Sequence, residues 1–268
     1  MTQAIQTAPR GHYRVRNVAK SEAVKILTLR STAAILGVTV VAGLLVTGLV
    51  TNAALHHAPG YYRGFDPTSE ALTGLLIAAL TGGVFGALLV TGEYSSGTIR
   101  TTLAATPRRP LLLATKIAVA AAATLVFCEL LSFVSFLLGE AILSGGGAPS
   151  ASLASPGALR AVLMTGLFIA LMALMSFGLG LIFRSTAAAI AAFVGIVFVL
   201  PLVMRGISQP DLRYVPTYIL TNSIMATVKQ GPGGIVQPLS PVIGLLLMVL
   251  YAAIALALGA VLFVKRDA

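Results

Sequence analysis

Five stretches of this 268-residue chain run for 20 residues or more without a single Asp, Glu, Lys or Arg: Ser31 to Thr51, Ala71 to Gly92, Ala161 to Phe183, Ser185 to Met204 and Leu239 to Val264. A helix needs about 20 apolar residues to cross a hydrocarbon core roughly 30 Å thick. Only 10% of the residues are charged and 57% are hydrophobic, with a mean hydropathy of +0.95, where a soluble domain carries about 25% charge. A chain in lipid must satisfy its backbone hydrogen bonds within itself, and these runs are too long and continuous for barrel strands, so they read as helices.

A sixth apolar segment, Leu111 to Leu143, is interrupted by Lys116, Glu129 and Glu140. Between those charges it is apolar enough to span, and its length carries it past the bilayer on the Lys116 side. The expected fold is therefore an all-α polytopic membrane protein with six spans at about 31–51, 71–92, 111–143, 161–183, 185–204 and 239–264. A tail and interfacial helix (1–30) precede them, a loop (93–110) follows the second span, an outer segment (205–238) precedes the last, and a short tail (265–268) ends the chain. Placing the amino terminus inside puts 13 of the 18 Lys and Arg residues on the inner side, as the positive-inside rule requires, so both termini are expected to be cytoplasmic. The net charge of +10 then suits an anionic leaflet and is no sign of a nucleic-acid patch.

Before the first span, YRVRNVAKSEAVKILTLRS gathers Val15, Val18, Ala19, Ile26, Leu27 and Leu29 on one arc, as in a helix lying in the inner interface. Glu22 sits out of place inside that apolar arc. In the second span Gly74, Ala78, Gly82 and Gly86 recur every four residues, a small-residue stripe along which another helix can approach closely. Packing within one subunit, or a seam near a dimer interface or translocation path, would both use it. The outer segment holds an apolar stretch from Tyr214 to Val228 that is too short to cross; it suits a helix lying on or dipping into the outer interface, with Tyr214 and Tyr218 at headgroup level.

The chain has eight acidic residues and one cysteine, and no GxxxxGK[ST], HExxH or G-x-S-x-G motif, which argues against an enzyme. Cys128 has no partner and reads as a small packing residue; His56 and His57 lack a spaced third ligand, so no metal site is expected. Glu129 lies inside a span, where an ionisable residue is costly to keep. It could bind a cationic part of a substrate, relay a proton or hydrogen-bond across the bundle. Glu140 is expected near the outer interface as a solvated carboxylate. In GEYSSGTIRTTLAATPRRP, residues 92 to 110, Ser95 or Ser96 is expected to cap a helix from about Gly97 to Ala105, with Pro107 ending it and Arg108 and Arg109 at its carboxyl end.

SEAVKILTLRST before the first span, EYSSGTIRTTLAATPRR after the second, PTYILTNSIMATV outside and the ending YAAIALALGAVLFVKRDA together resemble ABC-2 type permeases, the membrane subunits of bacterial ABC exporters. The resemblance covers nearly the whole chain and is most specific around Glu93 to Arg109. It implies two copies of this subunit, a homodimer or a mixed pair, working with two cytoplasmic ATP-binding subunits in the plasma membrane. ATP and Mg would belong to those partners, and this chain would bind no cofactor. The contact with the ATPase then falls on the Arg14–Arg30 helix, including Glu22 and Lys25, and on Glu93, Gly97, Thr98, Ile99, Arg100, Thr101, Thr102 and Leu103, with a smaller contact at Arg184, Ser185 and Thr186. Gly82, Gly86 and Glu129 would line the substrate path, and Tyr214 and Tyr218 an outer gate. The cargo would be amphipathic or hydrophobic: a drug-like metabolite, a peptide or a lipid. Two other readings are an ion-coupled secondary transporter working through Glu129, and an ABC-linked immunity or sensing scaffold without net export.

Overall fold

The computed structural model describes residues 15–57, 62, 65–105, 109–205, 214–224 and 239–265, and no strand occurs among them. Six helical segments are long and apolar enough to cross a membrane: Arg30–Leu55, Pro67–Ser95, Arg109–Gly145, Ala158–Phe183, Thr186–Met204 and Pro241–Lys265. The chain is a multi-pass membrane protein.

Helix α1 (Val15–Thr28) stops where Leu29 turns extended, and α2 (Arg30–Leu55) starts at once. The next span opens with α3 (Pro67–Thr73), whose first turn has a proline and an Asp66 side chain that accepts from the Ser69 amide, an arrangement that satisfies donors a helix start otherwise leaves open. It runs through Gly74 into α4 (Leu75–Ser95). A side chain at Gly74 would strike the Gly43 carbonyl and the Thr47 backbone of α2, and one at Gly86 would strike the Ala173 carbonyl of α7. The stripe of small residues thus lets α4 touch α2 and α7 within this chain, and Gly82 is buried on the same surface, facing Ile169 of α7.

After α5 (Thr98–Ala105), α6 (Arg109–Gly145) has 37 residues, about 55 Å at 1.5 Å per residue, far more than a bilayer core needs. The remaining elements are α7 (Ala158–Phe183), α8 (Thr186–Val194), a π-helical turn (Gly195–Val199), α9 (Leu200–Arg205), α10 (Pro216–Ile224) and α11 (Pro241–Lys265). Helix α7 is the axis of the bundle, packed by α4, α6 and α11; 72% of its central stretch is buried, against 17% for α2. Phe168, Ile169, Met172 and Phe177 fill the space around it.

Apolar contact alone does not draw helices together in lipid, so hydrogen bonds between helices matter. Ser135 and Thr47 share a 2.7 Å hydroxyl bond, Ser135 also donates to the Ala71 carbonyl, and Ser132 donates to the Val162 carbonyl at 2.7 Å. These three bonds join α6 to α2, α3 and α7. At one end of the bundle lie α1, the close of α4, α5, the start of α6 and the close of α11, where Arg109 reaches the Val264 carbonyl. The opposite end holds α3 and α10.

Three local expectations are corrected. Ser95 and Ser96 belong to the last turn of α4 and its cap, so both hydroxyls donate back to the Gly92 carbonyl, and Ser96 also bonds the Thr98 hydroxyl. Gly97, at φ 70°, makes the turn into α5. Arg109 opens α6 and does not close α5; Pro107 and Arg108 lie outside the described residues. Glu140 is 7% exposed because the loop after α6 folds over it and the Ala151 amide donates to it at 2.6 Å.

Candidate functional site

Glu22 leaves one face of α1 pointing into the bundle, where it is 4% exposed. A lone buried carboxylate there would be very costly. Lys116, in the second turn of α6 and also 4% exposed, meets it: Nζ donates to Glu22 Oε2 and to Glu93 Oε1, both at 2.6 Å. Lys25, one turn beyond Glu22, donates to Glu22 Oε1 at 2.8 Å and to Glu93 Oε1 at 3.0 Å. Two ammonium groups and two carboxylates thus close into a neutral cluster that joins α1, the last turn of α4 and the first part of α6.

Burial pushes the Glu22 carboxyl up, yet Lys116 and then Lys25 outweigh it, and the carboxyl is held below its ordinary range. Burial likewise pulls Lys25 down, and its bonds to Glu22 and Glu93 outweigh that and raise it. Both groups are therefore charged at neutral pH. Three of the four carboxylate oxygens are engaged; Glu93 Oε2 is buried with no hydrogen-bond partner.

Next to the cluster, Arg184 sits over the Tyr94 ring at 5.4 Å, and Thr186 donates to the Thr91 hydroxyl at 2.8 Å. Arg184 is held at φ 54°, the left-handed cap that closes α7. The turn between α7 and α8 is thereby fastened to the corner between α4 and α5. On α5, Ile99 is 4% exposed and anchors the helix, while Thr98 and Thr101 face outward. Thr101 and Thr102 return their hydroxyls to the Thr98 carbonyl.

Of the residues singled out from the sequence, the structure brings Glu22, Lys25, Glu93, Thr98, Ile99 and Arg184 to this end, with Gly97, Thr101 and Thr102 beside them. Arg100 and Leu103 are on α5, but their side chains, like Arg14, lie outside the described set. Glu129 is in the middle of α6, far along the chain from the cluster, with Oε2 buried and unpartnered against Gly166 of α7. Cys128 beside it is a buried free thiol. Tyr214 and Tyr218 are at the opposite end: the Tyr214 carbonyl accepts from Tyr251 of α11 at 2.8 Å, and Ile219, Leu220 and Ile224 bury α10 against the bundle. The part of the outer segment from 225 to 228 lies outside the described residues. No group of three or more potential metal ligands occurs among the described residues.

Sequence reasoning missed Lys116, Tyr94 and Thr91. A signal for Lys116 existed: a lysine interrupting an apolar span needs a carboxylate at its own depth, and the misplaced Glu22 needs a cation.

Fold and site together define a six-span helical membrane protein with a four-charge joint at one end, buried at its Glu22–Lys116 pair. A family model described as "Protein of unknown function (DUF2705)" matches residues 59–268, and the chain belongs to that family. Glu93 and Lys116 fall within the matched residues; Glu22 and Lys25 precede them. Comparison with curated proteins gave no match.

Proposed function

We propose that this chain is the permease subunit of an ATP-driven exporter of the ABC-2 type, moving an amphipathic or hydrophobic molecule across the bacterial plasma membrane. It would act as one of a pair of permeases, with ATP and Mg bound by separate cytoplasmic ATP-binding subunits. The observation that carries this reading is the neutral cluster of Glu22, Lys25, Glu93 and Lys116. A permease needs a stiff joint between the surface that its ATPase pushes and the helices that must move. Here α1 and the α4–α5 corner, both on the protein surface at one end, are tied by buried ion pairs to α6, which runs the full length of the bundle.

With the basic end inside, closure of the ATP-binding subunits bears on α5 and α1 and is passed through Lys116 to α6. The Arg184 contacts at the α7–α8 turn pass the same push to α7. The first experiment is a pull-down of the detergent-solubilised tagged protein from its native membrane, with mass spectrometry of what accompanies it; an ATP-binding cassette protein is the expected companion. Arg100→Ala and Leu103→Ala are then expected to lower substrate-dependent ATPase activity while the complex still reaches the membrane. A chain that comes out reproducibly alone, or unchanged ATPase rates in both variants, overturns the reading.

One observation favours a second reading. The unpartnered Glu129 oxygen in mid-span is what an ion-coupled carrier would use. That reading predicts uptake or efflux driven by a proton gradient without ATP and abolished in Glu129→Gln.

A further inference from the structure

Helix α1 turns only one of its sides to the bundle, the one on which Val18 and Glu22 are buried. A second side is polar: Ser21 and Thr28 return their hydroxyls to the Val18 and Val24 carbonyls, and Asn17 falls on the same stripe. The third side is of mixed character. Arg16, Lys20, Val24 and Leu27 lie within an arc of about 80° at the helical period, and all four are exposed, Leu27 by 82%. Cations occupy the amino-terminal half of this stripe and apolar side chains the half next to the first span. Leu29 alone separates α1 from α2, and backbone bonds from Leu29 to Lys25 and from Ala33 to Leu29 carry the chain across the turn. Leu27 therefore stays at the surface of the membrane that α2 enters. Arg30, the first residue of α2, is exposed as well. No acidic side chain among the described residues pairs with Arg16, Lys20 or Arg30; Glu22 and Glu93, the carboxylates of the cluster, are held by Lys25 and Lys116. Unpaired cations followed by exposed apolar side chains at the head of a span are the pattern of a helix seated in a negatively charged leaflet.

We propose that this third side of α1 binds anionic phospholipid, with the headgroups meeting Arg16, Lys20 and Arg30 and the acyl boundary taking Val24 and Leu27. A zwitterionic headgroup brings an ammonium for every phosphate and gains little at such a patch. The opposite side of the same helix carries Glu22 and Lys25, so the lipid holds α1 where the ion cluster needs it. The polar side is left to water and to a partner. This inference rests on the membrane fold and not on the exporter reading.

The test places the full chain in nanodiscs of phosphatidylcholine, alone or mixed with phosphatidylglycerol, and follows amide hydrogen exchange by mass spectrometry. With phosphatidylglycerol present, the α1 amides are expected to exchange about tenfold more slowly, the worth of two or three cations at an anionic surface, while those of α7 do not change. Arg16→Gln with Lys20→Gln should erase the difference without altering exchange in phosphatidylcholine. Lys265→Gln with Arg266→Gln takes the same charge from the tail of the chain and should keep it, which separates a site on α1 from a general attraction of a basic protein. Leu27→Gln should speed exchange of α1 in both lipids. Equal exchange of wild-type α1 in the two lipids, a difference that survives Arg16→Gln with Lys20→Gln, or no effect of Leu27→Gln overturns the inference. So does protection of α1 that needs an ATPase partner and ignores the lipid, an outcome that gives this side to the partner and leaves the exporter. A lipid effect in a chain that captures no ATPase supports the site and removes the exporter.

Discussion

Glu22 and Glu129 are both carboxylates of a membrane protein, and they are kept in opposite ways. Glu22 is almost wholly buried and has an ammonium group on each oxygen. Glu129, half-buried in mid-span, has a buried oxygen with no partner, pressed against Gly166. The first is a structural charge, since its environment exists only because its partners do. The second has no structural explanation among the described contacts, and a charge of that kind is where chemistry or cargo is to be sought. What separates them is satisfaction rather than depth.

The comparison breaks most easily at Lys116. Lys116→Ala leaves Glu22 buried beside Glu93 with half its partners gone, and is expected to cost about 3–5 kcal/mol in reversible thermal or denaturant unfolding of the solubilised chain. Pairing Lys116→Met with Glu22→Gln and Glu93→Gln should restore most of that, and failure to do so would show that shape rather than charge holds the joint. Gly86→Ala, which forces a methyl group onto the Ala173 carbonyl, is expected to cost about 1–3 kcal/mol through overpacking, read in the same assay.

Acid should remove part of what Lys116→Ala removes. Because Glu22 is depressed in the folded chain, its contribution is present above the ordinary carboxylate range and is lost as pH falls through its folded value. Lys25 is raised, so its contribution is present below the ordinary lysine value and lost as pH rises through its higher folded one. The melting temperature is thus expected to be flat through neutral pH and to fall on both sides, with the acid fall blunted in Glu22→Gln. Arg184→Ala should cost about 0.5–1 kcal/mol, the worth of a partly exposed cation–π contact. Glu129→Gln comes last, within about 0.5 kcal/mol, since no bond to its free oxygen is lost; a large loss of stability there would erase the distinction between the two carboxylates.

Much of this architecture was readable from the chain. Charge-free runs announce helices in lipid because length and backbone satisfaction leave no other solution, and the four-residue rhythm of Gly74, Ala78, Gly82 and Gly86 announced close packing. What the rhythm could not say is which helix comes close; α2 and α7 of the same chain are settled only by three-dimensional contact. The site was half legible. Glu22 stood out as a misfit on α1, and Glu93 entered only through the family resemblance. Their common partner did not, because a lysine 94 residues away is linked to Glu22 by depth in the bundle and not by any local period. The serines at 95 and 96 were misjudged for a similar reason: a hydroxyl between two helices can serve either one, and the position of Gly97 decides which.

The span of chain between Glu22 and Lys116 also sets an order of events. Helix α1 is made before the lysine that neutralises its carboxylate, which follows only after the residues of two complete spans. Until then α1 carries an acid with no interior place for it and must wait at the water surface. The joint at this end is consequently a late product of synthesis, and a chain stalled before the start of α6 would lack it.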